Sequence, residues 1–341
     1  MSTAAIPGAP LPVRTPGSRA RGRHRRPERP ELPVGAPALV LAVPAEATPQ
    51  AVAVVDELLS VLRGEQPGIL AAAGWLPAPQ SPAQPPATAP EDEQAADATE
   101  TDGSAPATAE QAAEASAQAA AYPSATVEEL ITSALEAGMP APVLVPLLPG
   151  PHGYLTELHA LAERTGALLT DVLGPHPLLA EAVHVRLSEA GLARADRARL
   201  FAIATAADGV VLTTVGGEDA AAAAGITGVL LAARLAVPVV AAALDVPGAV
   251  VDAVEHLRAT GSQRPALAPL VIGPEVAEGL LLAASEETGC PSAAVLGAYP
   301  TLGQLIAAAY LAVLPAPVAE PLPAEEAAAE EACAEEFAAG E

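Results

Sequence analysis

Apolar residues along the chain fall into two alternating rhythms. Short, near-continuous apolar runs rich in Val, Leu and Ala alternate with longer stretches in which apolar positions recur every three or four residues. The runs read as buried strands and the stretches as amphipathic helices. In the first part of the chain, strands are predicted near 38–43, 69–76, 142–148 and 167–173, with helices near 49–63, 124–137, 153–165 and 177–190. In the second part, strands are predicted near 209–215, 237–244, 265–272 and 293–297, with helices near 218–235, 246–260, 275–288 and 300–313. Pro or Gly stands at most junctions (Pro151, Gly174, Pro177, Gly273, Pro300), as short loops feeding helix N-termini require. This alternation predicts an α/β fold of parallel sheets covered by helices on both faces, connected by right-handed crossovers.

The two parts resemble each other. Val145-Pro146-Leu147-Leu148-Pro149-Gly150-Pro151 matches Ala268-Pro269-Leu270-Val271-Ile272-Gly273-Pro274, and Leu173-Gly174-Pro175-His176-Pro177-Leu178 matches Leu296-Gly297-Ala298-Tyr299-Pro300-Thr301. Both pairs lie 123 residues apart, so the segments between them have equal length. The opening strands, Leu39-Val40-Leu41 and Val210-Val211-Leu212, lie 171 apart, so the first copy carries about 48 extra residues. Residues 77–121, rich in Pro, Ala, Gln and acids and without apolar periodicity, read as that insertion. The expected plan is a disordered Arg-rich leader (1–35), a first domain (36–192) containing the disordered acidic insertion, a second domain (193–315), and a disordered acidic tail (316–341). Each domain is expected to hold a four-stranded parallel sheet.

Charge is segregated along this plan. Residues 1–30 hold seven arginines and one acid, while 77–121 and 316–341 each hold eight acids and no base. Without these segments the net charge changes from −25 to about −15, and the core remains acidic. A field of that sign argues against nucleic acid as a partner, since phosphate binding needs clustered basic residues. Cys290 and Cys333 are too few and too scattered for a disulfide framework or a thiolate metal site, which fits a reducing cytoplasm. No apolar signal region follows the leader's arginines. The one apolar stretch of membrane length, Gly225–Leu244, contains Arg234 and Pro238 and turns β-branched near its end. It reads as a buried helix followed by a buried strand, so no membrane partner is expected.

In sheets of this kind ligands bind beyond the carboxyl ends of the strands. Pro149-Gly150-Pro151-His152-Gly153 follows the third predicted strand and Gly174-Pro175-His176-Pro177 follows the fourth. Imidazole suits first-row divalent metals and carries protons near neutral pH, so His152 and His176 are the candidates for metal or acid–base chemistry. A turn histidine between prolines can equally be structural. His159 and His184 read as helix-surface or packed histidines. The second copy has Glu275 and Tyr299 where the first has His152 and His176. Phosphate loops, dinucleotide fingerprints and serine-hydrolase elbows are absent from the sequence.

The strand–Gly–x–His turn, the Leu173–Leu178 segment and the doubled layout resemble the class II tetrapyrrole chelatases, and among them the two-domain sirohydrochlorin chelatases. The resemblance covers residues 36–76 and 122–315. It implies two tandem chelatase-like domains and insertion of Fe2+ or Co2+ into sirohydrochlorin, for sirohaem or cobalamin synthesis. The metal would be a substrate, and no organic cofactor is implied. His152 matches the family histidine after the third strand and is the implied metal ligand. Pro44 stands where the family places another histidine after the first strand, and Pro77 where many members place an acid. Glu46 is the nearby carboxylate that could substitute, with His176 completing the set. A catalytically inactive relative that carries tetrapyrrole or metal is the alternative.

Overall fold

The first apolar run forms β1 (Leu39–Val43), whose five residues are all buried. It lies inside a parallel sheet of order β2-β1-β3-β4, completed by β2 (Ala71–Trp75), β3 (Val143–Pro146) and β4 (Leu168–Leu169). Leu39 pairs with both Ala71 and Val143, so β1 is hydrogen-bonded on both edges. A second parallel sheet, of order β6-β5-β7, consists of β5 (Gly209–Thr214), β6 (Val239–Ala243) and β7 (Pro265–Pro269). The structure is a computed structural model that describes residues 32, 33, 35–76, 125–193 and 207–315. Apart from Leu32, Pro33 and Gly35, the leader lies outside the described residues, as do the insertion and the acidic tail.

Helices connect and cover the strands: α1 (Pro49–Glu65), α2 (Val127–Glu136), α3 (Tyr154–Thr165) and α4 (Pro177–Glu189) in the first part, then α5 (Gly217–Leu235), α6 (Ala249–Ala259), α7 (Leu280–Thr288) and α8 (Pro300–Val313). Their starts are encoded locally. At α1, Thr48 accepts a hydrogen bond from the Ala51 N–H and Pro49 occupies the first turn, where its missing N–H costs nothing. Thr126 and Glu129 close a reciprocal capping box on α2. The apolar face of α1 (Val55, Leu58, Leu59, Leu62) is buried against the sheet, as its spacing requires. The apolar stretch Gly225–Leu244 divides into the end of α5 and all of β6, and no helix among the described residues is long and apolar enough to cross a membrane.

The two sheets share one buried cluster, in which Leu39, Val145 and Leu179 join Leu212, Ala268 and Ile306. All described residues belong to one compact unit beginning at Leu32. α8 follows the second sheet yet packs on the first-part helix α1, where Gly303 permits close approach. A Cβ at Gly303 would lie 2.7 Å from Val61 Cγ1. The Tyr310 hydroxyl, at the buried end of α8, donates to the Pro37 carbonyl at 2.6 Å. In the other direction, Arg186 of α4 donates through Nε to the Leu296 carbonyl at 3.1 Å.

Three expected elements depart most from their hydrophobic pattern. β4 spans two residues instead of 167–173, because Pro146, at the end of its only partner strand, has no N–H to donate. The second sheet has three strands instead of four. Its 291–297 segment runs beside β7 through single hydrogen bonds, such as Ala293 N–H to Leu267 O, and forms one bridge at Ser292. Pro269 and Pro291 remove donors there, and Gly297 turns the chain at φ 58°. Finally, α7 begins at 280, not 275, because residues 273–279 form turns that end in a left-handed Gly279.

Candidate functional site

At the carboxyl ends of the strands, loops from one sheet meet loops from the other in two places. In the first, the segment after β1 (Pro44–Thr48) faces the turn after β7 (Gly273–Gly279) across a cleft of about 1050 Å3. Ala51 and Val54 of α1, Leu281 and Leu282 of α7, and Tyr154 at the start of α3 add to its walls. Glu46 is exposed at the cleft. Glu275 also lines the cleft but is only 8% exposed. Its carboxylate accepts from the Ile272 N–H and, at 2.8 Å, from the Gly273 N–H. Burial pushes its pKa up to about 7, against the opposing pull of those backbone donors.

In the second place, the turn after β5 closes directly on the turn after β3. Gly216, at φ +113°, sits so near Pro151 and His152 that an added Cβ would collide with the Pro151 carbonyl oxygen and lie 3.2 Å from His152 Cδ2. Asp245, just after β6, accepts from the Gly216 N–H at 2.9 Å and the Gly217 N–H at 3.0 Å, satisfying donors at the start of α5. His152 is half-buried and stacks on Tyr154, with ring centroids 5.0 Å apart and planes inclined by 16°. Its Nδ1 faces the Tyr154 N–H at a long 3.4 Å, which places the proton of the neutral ring on Nε2. Burial lowers the His152 pKa, and the Asp245 charge pulls it back upward.

Of the three residues singled out from sequence, only Glu46 lines the cleft. His152 stands behind Tyr154, whose other neighbours include Glu46 and Glu157; burial first, then those two charges, push the tyrosine pKa upward. His176 has the structural role that was open from sequence: it is the N-cap of α4, its Nδ1 accepting from the Leu178 N–H at 3.1 Å. His159 is exposed, with Nδ1 2.6 Å from the Leu155 carbonyl, and His184 is buried on α4. Arg186 of α4 is engaged with Glu189 and the Leu296 carbonyl. Among the described residues no three His, Cys, Asp or Glu side chains converge to hold a metal. Two acids were not singled out, and each had a signal: Glu275 stands 123 residues from His152, and Asp245 follows directly on a strand.

Two parallel sheets flanked by helices, meeting through the loops at their strand ends, define a chelatase-like α/β fold. A solved structure with that likeness is SirB from Bacillus subtilis with Fe3+, at a TM-score of 0.51 and 12% sequence identity, covering 80% of this chain and 94% of SirB. At that identity the likeness is one of fold. No family model matches the chain, and no curated protein matches it.

Proposed function

We propose that this protein is a chelatase-like tetrapyrrole binder, built of two tandem domains derived by duplication (36–192 and 193–315), whose cleft between the β1 and β7 loops receives the macrocycle. The observation that carries this reading is the cleft itself. It lies at strand carboxyl ends, is about 1050 Å3 in volume, has largely apolar walls and contains one buried carboxylate. Metal insertion requires a base for the two departing pyrrole protons. Glu275, pushed up to about 7, has the affinity for a proton that such a base needs near neutral pH. Glu46, exposed at the same cleft, is the carboxylate available to an incoming divalent metal. His152 and His176 lie off the cleft; His176 caps α4, and a direct part of His152 in the chemistry is tested below. The family resemblance makes sirohydrochlorin with Fe2+ or Co2+ the first substrate pair to try, in a cytoplasmic pathway to sirohaem or cobalamin.

A second reading is a non-catalytic carrier of tetrapyrrole or metal. It is favoured by the packing of His152 against Tyr154 and Gly216. Anaerobic absorbance of sirohydrochlorin with Fe2+ or Co2+, with and without the full-length protein, separates the two. Insertion that is faster with protein, and slowed at least about tenfold in Glu275→Gln or His152→Ala, supports the chelatase. A spectral shift on binding without faster insertion supports the carrier, and neither response with sirohydrochlorin or with a dicarboxylate porphyrin would overturn both.

A further inference from the structure

The charge on the cleft walls bears on which macrocycle it takes. Glu46, Glu275 and Glu278 line it, and among the described residues no Arg or His does. Arginines elsewhere have other partners: Arg258 donates to the Thr288 carbonyl, Arg164 pairs with Glu128, and Arg186 is held by Leu296 and Glu189. Between the acids the walls are apolar, and Leu282 is 63% exposed toward this space. A flat apolar ligand covers such a wall favourably. A ligand bearing eight carboxylates would instead press its charge against the exposed Glu46 and Glu278, where apolar walls displace water and strengthen the repulsion, while the buried Glu275 holds its proton more tightly. The same opening meets the start of α7 at Gly279, where backbone N–H groups without a side-chain cap can receive an isolated carboxylate.

Resting on the tetrapyrrole reading above, we infer that the cleft selects a largely apolar tetrapyrrole with at most two carboxylates and discriminates against octacarboxylate macrocycles, the class that includes sirohydrochlorin. The discrimination lies in Glu46 and Glu278 at the surface of the cleft, with Leu282 supplying apolar contact.

The test is a fluorescence titration of the full-length protein, including its N-terminal arginines, with free-base porphyrins bearing two, four and eight carboxylates. The dicarboxylate is expected to bind at least about tenfold more tightly than the octacarboxylate, with a smaller gap at about 0.5 M salt. Glu46→Arg/Glu278→Arg is expected to narrow the gap by strengthening octacarboxylate binding, and Leu282→Asp to weaken dicarboxylate binding about tenfold. Octacarboxylate binding equal to or tighter than dicarboxylate binding overturns the inference while leaving the tetrapyrrole reading in place. So does a ratio unchanged in the double arginine variant, or dicarboxylate binding indifferent to Leu282→Asp. If none of the three porphyrins binds, the tetrapyrrole reading itself falls, and this inference with it.

Discussion

The two loop meetings both form at strand carboxyl ends and end in opposite states. Between the β5 and β3 turns, Gly216 has no side chain, so the Pro151 carbonyl and His152 close directly over it, and Asp245 satisfies the Gly216 and Gly217 donors. Between the β1 and β7 loops, Pro44-Ala45-Glu46 takes the place of the glycine turn, and Glu275 folds back to satisfy donors of its own loop. That loop therefore asks nothing of the segment opposite, and a cleft remains. The difference teaches that the space for a ligand arises where a loop completes its own hydrogen bonds. It is lost where backbone approaches backbone.

The sharpest way to break this contrast is to put a methyl group on each side. Gly216 and Gly273 both have positive φ, +113° and +139°, so alanine is strained at either position. At Gly216 the new Cβ also meets the Pro151 carbonyl, whereas at Gly273 its nearest neighbour is Val295 Cγ2 at an ordinary 3.5 Å. Gly216→Ala is expected to cost about 3–4 kcal/mol and Gly273→Ala about 1–2 kcal/mol. Denaturant midpoints at constant m-value check this, and equal losses would show that the closed meeting is not held by backbone contact.

Titration separates the two places next. Glu275 has a folded pKa of about 7 against an ordinary 4.5, so the folded state holds its proton more tightly than the unfolded state. Stability from this group is present below pH 4.5 and is lost as pH rises to about 7, by on the order of 3 kcal/mol. His152 runs the other way. Its folded pKa lies below 6.5, so its contribution is present above pH 6.5 and is lost as pH falls through the lowered value. Glu275→Gln should flatten the loss toward pH 7, and His152→Gln should flatten the loss on the acid side. Denaturation midpoints from about pH 4.5 to 8 measure both. A Glu275→Gln variant that keeps the wild-type slope would mean that its carboxylate is better solvated than its burial indicates.

Much of this framework is legible in the sequence, for identifiable reasons. Strand cores such as Leu39–Val43 and the start of α1 at Pro49 are local signals and fall where the apolar period places them, whereas α2 starts at Val127, behind the Thr126 cap, and not at 124. β4 and the strand expected at 293–297 were overextended because hydrophobic pattern ignores a donor missing from the adjacent strand. Proline is visible in the sequence, but which strand it faces is not. The site was less legible because its position depends on loops meeting across the two sheets. His152 and His176 looked equivalent, yet one packs beneath Tyr154 and the other caps a helix, which sequence spacing does not distinguish. Glu275 was visible in sequence as the counterpart of His152, but its environment shows only in its burial, and Asp245 stands out through the two N–H groups it reaches 28 and 29 residues back along the chain.

Asp245 offers the smallest and most specific test of the closed meeting. Its side chain is exposed, so the carboxylate contributes through two hydrogen bonds and a local charge, without a large burial term. Asparagine can keep one acceptor toward Gly216 but turns an amide toward the other donor, so Asp245→Asn is expected to cost about 1 kcal/mol. The same change removes the charge that opposes the burial effect on His152, and the His152 pKa should fall further below 6.5. Proton NMR of the His152 ring, titrated in the wild type and in Asp245→Asn, reads that shift directly. An unmoved His152 midpoint alongside the expected stability loss would show that Asp245 holds the glycine turn but does not tune the ring. The two turns would then be joined by packing alone, and the pH contrast between the two meetings would belong to burial rather than to a designed pairing of His152 with an acid.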